Sequence, residues 1–111
     1  IAWLFGSRAE GFGLPILEAM ACKTPVIGAS TGAATDLISE SCGYLIPTGD
    51  PEAMARRIID FTKMSATEWT KKSQGAYEIA RSNDWDSSAS ALELLLLRAI
   101  SDQKDRICVY K

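Results

Sequence analysis

Three short apolar runs, IAWLF (1–5), VIGAS (26–30) and GYLIP (43–47), constrain this chain more than any other feature. Each is too short for a helix and is bounded by glycine, proline, serine or threonine, so each reads as a buried strand. Between them lie segments whose apolar residues recur at helical spacing. The first, ILEAMAC, follows Gly11, Phe12 and Gly13 and has Pro15 where a helix favours its first residue. It runs to about Cys22, before Thr24 and Pro25 break it. The second, AATDLIS, follows Gly32. Strands that alternate with helices require a parallel sheet with crossover helices. The expected fold is α/β, a partial Rossmann-like parallel sheet with flanking helices.

Beyond the third strand, Asp50 as N-cap and Pro51 at the first helical position open a helix over 51–64. Its Met54, Ile58, Ile59 and Phe61 have compatible spacing. Ser65 and Glu68 form a capping box that opens a further helix to about Arg81, with Trp69, Ala76, Ile79 and Ala80 facing inward. A last helix over 85–100 carries Leu92, Leu95, Leu96 and Ala99 on one stripe, expected to pack it onto its own or an absent domain. Residues 1–100 are read as one domain and 101–111 as a C-terminal tail, half polar and half strand-like, without an assigned element. Three strands are few for a sheet that needs cover on both faces. The chain also opens inside an apparent strand, without an initiator Met. A fragment of a longer protein, with further strands before Ile1, is expected.

At 111 residues the chain is one domain at most. Its net charge of −2 gives no pull toward nucleic acid, and no nucleic-acid partner is expected. Cys22, Cys42 and Cys108 are odd in number and widely spaced, which argues against a disulfide framework and fits a reducing, cytoplasmic setting. The absence of histidine removes the commonest general base and metal ligand. No leader or bilayer-spanning run is visible, though membrane association of a parent protein stays open.

Open α/β sheets bind ligands outside the carboxyl ends of their strands, which places the stretch between the first strand and the first helix at a site. Gly11 and Gly13 let the backbone turn tightly and approach a ligand. The amides of Gly13, Leu14 and Ile16 are expected to point out of the helix N-terminus, where free N–H groups and the helix dipole favour phosphate. Glu18, expected in the first turn, is placed to accept hydrogen bonds from a ribose diol. Glu10 is placed ahead of the glycines, to meet hydroxyls or a developing positive charge. Two plainer alternatives stand beside these: Glu18 as a complement to the helix dipole, and Glu10 as a solvated loop acid.

The stretch SRAEGFGLPILEAMACKTPVI resembles the signature of retaining glycosyltransferases of the GT-B fold, in the group-1 class. The E-x7-E motif of that class is matched by Glu10 and Glu18, and GYLIPTGDPEAMARRI is similar to a second pattern of the class. The resemblance implies the C-terminal, donor-binding half of a GT-B enzyme. It implies that Glu10 contacts the donor sugar as the catalytic residue. The backbone of Gly11, Phe12, Gly13 and Leu14 would meet sugar hydroxyls and diphosphate, and Glu18 would hold the ribose. The implied reaction is transfer of a hexose from a UDP-, GDP- or ADP-sugar to an acceptor with retention, without cofactor or metal. The basic diphosphate clamp and the N-terminal acceptor domain of the class are outside this chain, so the chain alone is expected to be inactive.

The sequence departs from the class after the second strand, where TGAATD stands in place of G-G-x-P-E. Gly32 and Ala33 are still expected to offer amides to the ligand. Lys23 fills a position where glycine is common and reads as a solvated helix-end cation. Asp84, Trp85 and Asp86 spell D-x-D, a metal–nucleotide signature in another glycosyltransferase fold, but their context favours an N-cap and a first-turn acid. Arg56 and Arg57 read first as solvated surface, and Trp3, Trp69 and Trp85 as packing. A non-catalytic nucleotide-sugar-binding or interaction module remains the alternative function. An NAD enzyme is a distant third, because the third glycine of G-x-G-x-x-G is lacking.

Overall fold

The structure is a computed structural model that describes residues 1–108, with side chains described to Asp102. Its elements follow in the order β1 (Trp3–Phe5), α1 (Leu14–Ala21), β2 (Val26–Ala29), α2 (Ala34–Leu37), β3 (Gly43–Ile46), α3 (Pro51–Lys63), α4 (Ala66–Ser82) and α5 (Trp85–Cys108). The three strands form one parallel sheet in the order β1-β2-β3. Trp3 pairs with Val26 and Val26 with Gly43, so the strands leave the sheet in step and their three following loops gather at one end. The expected α/β sheet with flanking helices is what the chain forms.

The core follows from strand alternation, because successive side chains of a strand point to opposite faces. Val26 joins Phe5, Ile16, Ala19, Met20, Ala34, Leu37, Ile38, Cys42 and Ala76 in one cluster, supplied by α1, α2 and α4. Ile27 joins Ile46 and Ala53 in the other, with Met54 and Phe61 of α3 packed against it. β2 is buried throughout and is the mechanical centre of the sheet. Fully burying Ile16, Met20 or Ile27 contributes about 1.5–3 kcal/mol each in transfer terms. The Cys42 thiol is buried and donates to the Leu37 carbonyl while accepting from the Ser39 N–H, an internal structural role.

The caps behave as the sequence indicates. Asp50 accepts from the Ala53 N–H at 2.8 Å at the start of α3. Glu68 accepts from the Ser65 hydroxyl at 2.6 Å and from its N–H at 3.0 Å, completing the capping box of α4. These bonds hold the Glu68 carboxyl below its usual range, the Ser65 hydroxyl contributing most. The inward residues of α4 also match: Ala76 is buried, and Trp69, Ile79 and Ala80 are partly so.

Several expectations change. On α3, Ile58 and Ile59 are exposed, since one face of a three-stranded sheet needs only Ala53, Met54 and Phe61 for cover. Trp3 and Trp85 are exposed, whereas Trp69 is half-buried and donates its ring N–H to the Ile1 carbonyl at 2.7 Å. The chain divides into a unit Ile1–Arg81 and a second unit from Ser82 on. In the second unit α5 continues past residue 100 to Cys108, into the segment left unassigned from sequence; residues 109–111 lie outside the described residues. Leu92, Leu95 and Leu96 are all more than half exposed, so the leucine stripe does not form a core within these residues. Asp84 caps α5, accepting from the Ser87 N–H at 2.6 Å, and that bond holds its carboxyl below the ordinary aspartate range. Asp86 sits in the first turn, so capping accounts for the D-x-D sequence.

Candidate functional site

The loop from β1 to α1 leaves the carboxyl end of the sheet at Gly6 and turns into the helix at Gly13. Gly13 is the N-cap of α1 in a left-handed conformation (φ 99°, ψ 49°), and the helix has no side-chain cap there. A Cβ at Gly13 would lie 3.2 Å from the Phe5 ring and 3.5 Å from the Ile16 side chain. Both the φ angle and the space therefore call for glycine. Gly11 differs: open space surrounds the position of its absent Cβ. Only Gly13 of the pair is required by the chain's own geometry. The uncrowded backbone at Gly11 remains accessible from outside.

Glu10, Gly11, Phe12 and Leu14 are all exposed at this loop, Phe12 and Leu14 by 46% and 47%. Glu18 is also exposed, but it lies in the second turn of α1. The helix begins at Leu14, so Pro15 occupies its second position and no acid falls in the first turn. The expectation that Glu18 sits in that first turn is corrected accordingly, which weakens the dipole-complement alternative because the dipole effect fades beyond the first turn. The N-terminal donors are corrected too. The Ile16 N–H is taken by the Gly13 carbonyl at 3.0 Å, so it is not free for a ligand.

A second loop meets the first. After β2, Gly32 adopts a left-handed conformation (φ 54°), and the Ala33 N–H donates to the Phe12 carbonyl at 2.8 Å. Ala33 thus spends its amide inside the protein, contrary to the expectation that it would offer it to a ligand. α2 begins one residue later and is only four residues long, so the altered TGAATD sequence still supports a helical turn. A third loop joins in: the Thr48 hydroxyl donates to the Ser30 carbonyl at 2.9 Å. Neither this bond nor the one between Ala33 and Phe12 is legible in the sequence. A glycine just after the second apolar run was the one available signal.

Lys23, Arg56 and Arg57 have partners of their own. Among the described residues Lys23 is the one non-glycine residue with positive φ (55°), and it directly follows Cys22, the C-cap of α1. Its carbonyl accepts from the Ser73 hydroxyl at 2.7 Å, and its ammonium lies 4.9 Å from the Tyr77 ring centre. It is a helix-end cation, as expected, but one tied to α4. Arg57 pairs with Asp60 at 3.1 Å and lies over the Tyr44 ring, and Arg56 approaches Glu52 at 3.9 Å. These contacts fit a surface role. No group of three or more acidic, histidine or cysteine side chains among the described residues is arranged to hold a metal ion. The glutamate-bearing loop is an open ledge; an open cleft of about 440 Å³ lies between β3 and α3, and neither glutamate lines it.

Residues 2–83 match the family of glycosyl transferases group 1, and the chain belongs to that family. A D-inositol 3-phosphate glycosyltransferase of Streptomyces griseus is 34% identical over 102 residues, covering 90% of this chain and 21% of the relative. Sucrose-phosphate synthase from Thermosynechococcus elongatus superposes with a TM-score of 0.76 at 28% identity, covering 89% of this chain and 25% of that one. HepE from Anabaena, solved in complex with UDP, superposes with a TM-score of 0.68 at 25% identity, covering 89% of this chain and 27% of that one. The chain thus spans about a fifth of the length of the curated relative it matches.

Proposed function

We propose that the chain is the donor-binding, C-terminal part of a GT-B glycosyltransferase that moves a hexose from a nucleoside-diphosphate sugar to an acceptor with retention. The observation that carries this is the placement of Glu10 and Glu18 on either side of the left-handed Gly13 turn, at the carboxyl end of the sheet. The N-terminus of α1, with its positive dipole end, favours the diphosphate. Glu18 stands about one helical turn further on, roughly 6 Å along the axis, within reach of the ribose hydroxyls. Glu10, on the other side of the turn, faces the sugar. Gly11, Phe12 and Leu14, all exposed, lie between the two.

In this reading the bond from the anomeric carbon to the diphosphate oxygen breaks and the acceptor oxygen bonds on the same face. Positive charge builds on the sugar ring while negative charge builds on the leaving diphosphate. A carboxylate beside the ring and N–H donors beside the diphosphate oppose those two charges, which is how fixed dipoles lower a barrier. The likeness to a protein solved with UDP favours a UDP-sugar over GDP- and ADP-sugars. No metal or cofactor is assigned a part. The open ledge also suits one wall of a cleft, the other wall and the acceptor site lying in an N-terminal domain of the full-length enzyme. The free thiols of Cys22 and Cys42 favour the cytoplasm, and no helix among the described residues is long and apolar enough to cross a membrane.

Titrating the full-length protein with UDP-, GDP- and ADP-sugars tests the reading. One of them should raise the melting temperature and support sugar transfer. Glu18→Ala should weaken nucleotide binding roughly tenfold or more, as loss of hydrogen bonds to a diol implies. Glu10→Ala should lower kcat roughly 100-fold or more while leaving nucleotide affinity nearly intact. Absence of any thermal shift with all three donors would sink the assignment, and binding without transfer would favour the non-catalytic module. Residues 1–111 alone should show no turnover.

A further inference from the structure

We propose that Gly32 is a positioning residue for Glu10: the loop after β2 bears on the loop after β1 and fixes where the Glu10 backbone sits. This rests on the reading above that Glu10 faces the donor sugar. A Cβ at Gly32 would lie 2.6 Å from the Phe12 carbonyl oxygen and 3.0 Å from the Glu10 Cβ. The first distance is shorter than side-chain carbons tolerate and the second is tight, so an L side chain at residue 32 pushes residues 10–12 outward. The next residue pulls in the opposite sense, because the Ala33 N–H donates to that same Phe12 carbonyl at 2.8 Å. Contact at Gly32 and the hydrogen bond at Ala33 together leave the Glu10 loop one seat.

The pushing side is braced. The Ser30 N–H donates to the Ile46 carbonyl at 2.9 Å, and the Thr48 hydroxyl donates to the Ser30 carbonyl at 2.9 Å. These bonds tie the start of the second loop to the end of β3. The Glu10 loop has fewer ties of its own, the Ser7 hydroxyl bonding only to the nearby Ala9 carbonyl. An added side chain at residue 32 therefore displaces residues 10–12 and leaves its own loop in place. Gly32 is itself exposed, so core packing gives no competing reason for glycine there.

Gly49 supplies a matched control. It also has positive φ (78°), in the loop after β3, but nothing lies within 4 Å of the position of its absent Cβ. Gly32→Ala and Gly49→Ala thus impose similar backbone strain, and only the first adds a contact. Gly32→Asn separates the two effects further, since asparagine tolerates left-handed backbone but keeps a Cβ.

The experiment makes these three variants in the full-length protein and measures crystal structures, transfer kinetics and UDP affinity. Gly32→Ala and Gly32→Asn should both shift Glu10 and lower kcat roughly 10- to 100-fold, the scale of a misplacement near 1 Å. UDP affinity should fall less than kcat, because Glu18 and α1 are untouched although the backbone of Gly11 and Phe12 moves with Glu10. Gly49→Ala should change neither the Glu10 position nor kcat. An unmoved Glu10 in Gly32→Ala, an unchanged kcat, or an equal loss in Gly49→Ala would overturn the proposal. Equal losses of kcat and UDP affinity would do so as well, since they indicate general collapse. If the wild-type protein transfers no sugar from any donor, the proposed function fails, and the displacement of Glu10 in the variant structures still decides the role of Gly32.

Discussion

Gly75→Ala offers a test in which helix propensity and tertiary packing predict opposite signs. Gly75 lies inside α4, where alanine is preferred over glycine by about 0.8–1 kcal/mol. On the helix alone, the substitution stabilises. In the fold, α4 crosses the 39–42 loop so closely that a Cβ at Gly75 would fall well inside contact with the Ser41 carbonyl oxygen, and 3.0 Å from its carbon. That carbon separation is roughly 0.5–1 Å inside the optimum for non-bonded carbons. The obstacle is backbone, so no rotamer change relieves it and Ser41→Gly should not rescue.

The helix must instead lift off the loop. Lifting strains the Ser73 hydroxyl bond to the Lys23 carbonyl, 2.7 Å long, and the Lys72 bond to the Glu40 carbonyl. It also loosens Ala76, which is fully buried against the larger core cluster. Overpacking costs about 1–3 kcal/mol, and one strained, part-buried hydrogen bond adds about 1 kcal/mol. Subtracting the helix gain leaves a net loss of about 1–3 kcal/mol. Urea denaturation followed by circular dichroism should show a lower midpoint at unchanged slope. For a domain of this size the thermal midpoint should fall by roughly 5–15 °C. A Gly75→Ala protein as stable as wild type, or more so, would refute the close approach of α4 to Ser41.

Two further predictions concern α1 and α4. Lys23→Gly removes left-handed strain of about 1–2 kcal/mol and loses an exposed cation–π contact of about 0.5–1 kcal/mol. Extra freedom of glycine in the unfolded chain offsets more of the gain, so a small net rise in urea midpoint is expected; a clear fall would show that the Tyr77 contact outweighs the strain. Glu68 has its pKa lowered by the Ser65 bonds, so its contribution is present above the ordinary value of 4.5 and disappears as pH falls through the lowered value. Protection of the amides at the start of α4, taken relative to the intrinsic exchange rate at each pH, should fall over that acid range in wild type and lose this pH dependence in Glu68→Gln, and identical profiles would exclude the capping box as the cause.

Much of the fold was legible because its signals are local. Asp50, Pro51, Ser65 and Glu68 set helix starts through bonds spanning three residues, and those starts are where the structure has them. The strands were legible for the same reason, as short apolar runs between turn residues. The candidate site was legible in part. Glu10, Gly13 and Glu18 were identified from their spacing, yet Glu18 moved to the second turn because the helix starts at Leu14, ahead of the proline. The Ala33 N–H was misjudged because its partner, the Phe12 carbonyl, depends on how two loops close, whereas the Ile16 N–H is taken by a local bond to Gly13 because the helix starts at Leu14. The last helix shows the opposite limit: its leucine stripe is plain in the sequence, but periodicity does not say what a stripe packs against, and here Leu92, Leu95 and Leu96 are exposed.

The sequence by itself determined the order of strands and helices, the capping of α3, α4 and α5, and the paired glutamates around a glycine turn, all consequences of interactions between near neighbours. Only the tertiary structure decided which glycines tolerate no side chain. Gly32 against Phe12 and Gly75 against Ser41 are contacts between segments 20 or more positions apart, and no local pattern encodes the distance between two backbones that meet only when the sheet and helices have packed.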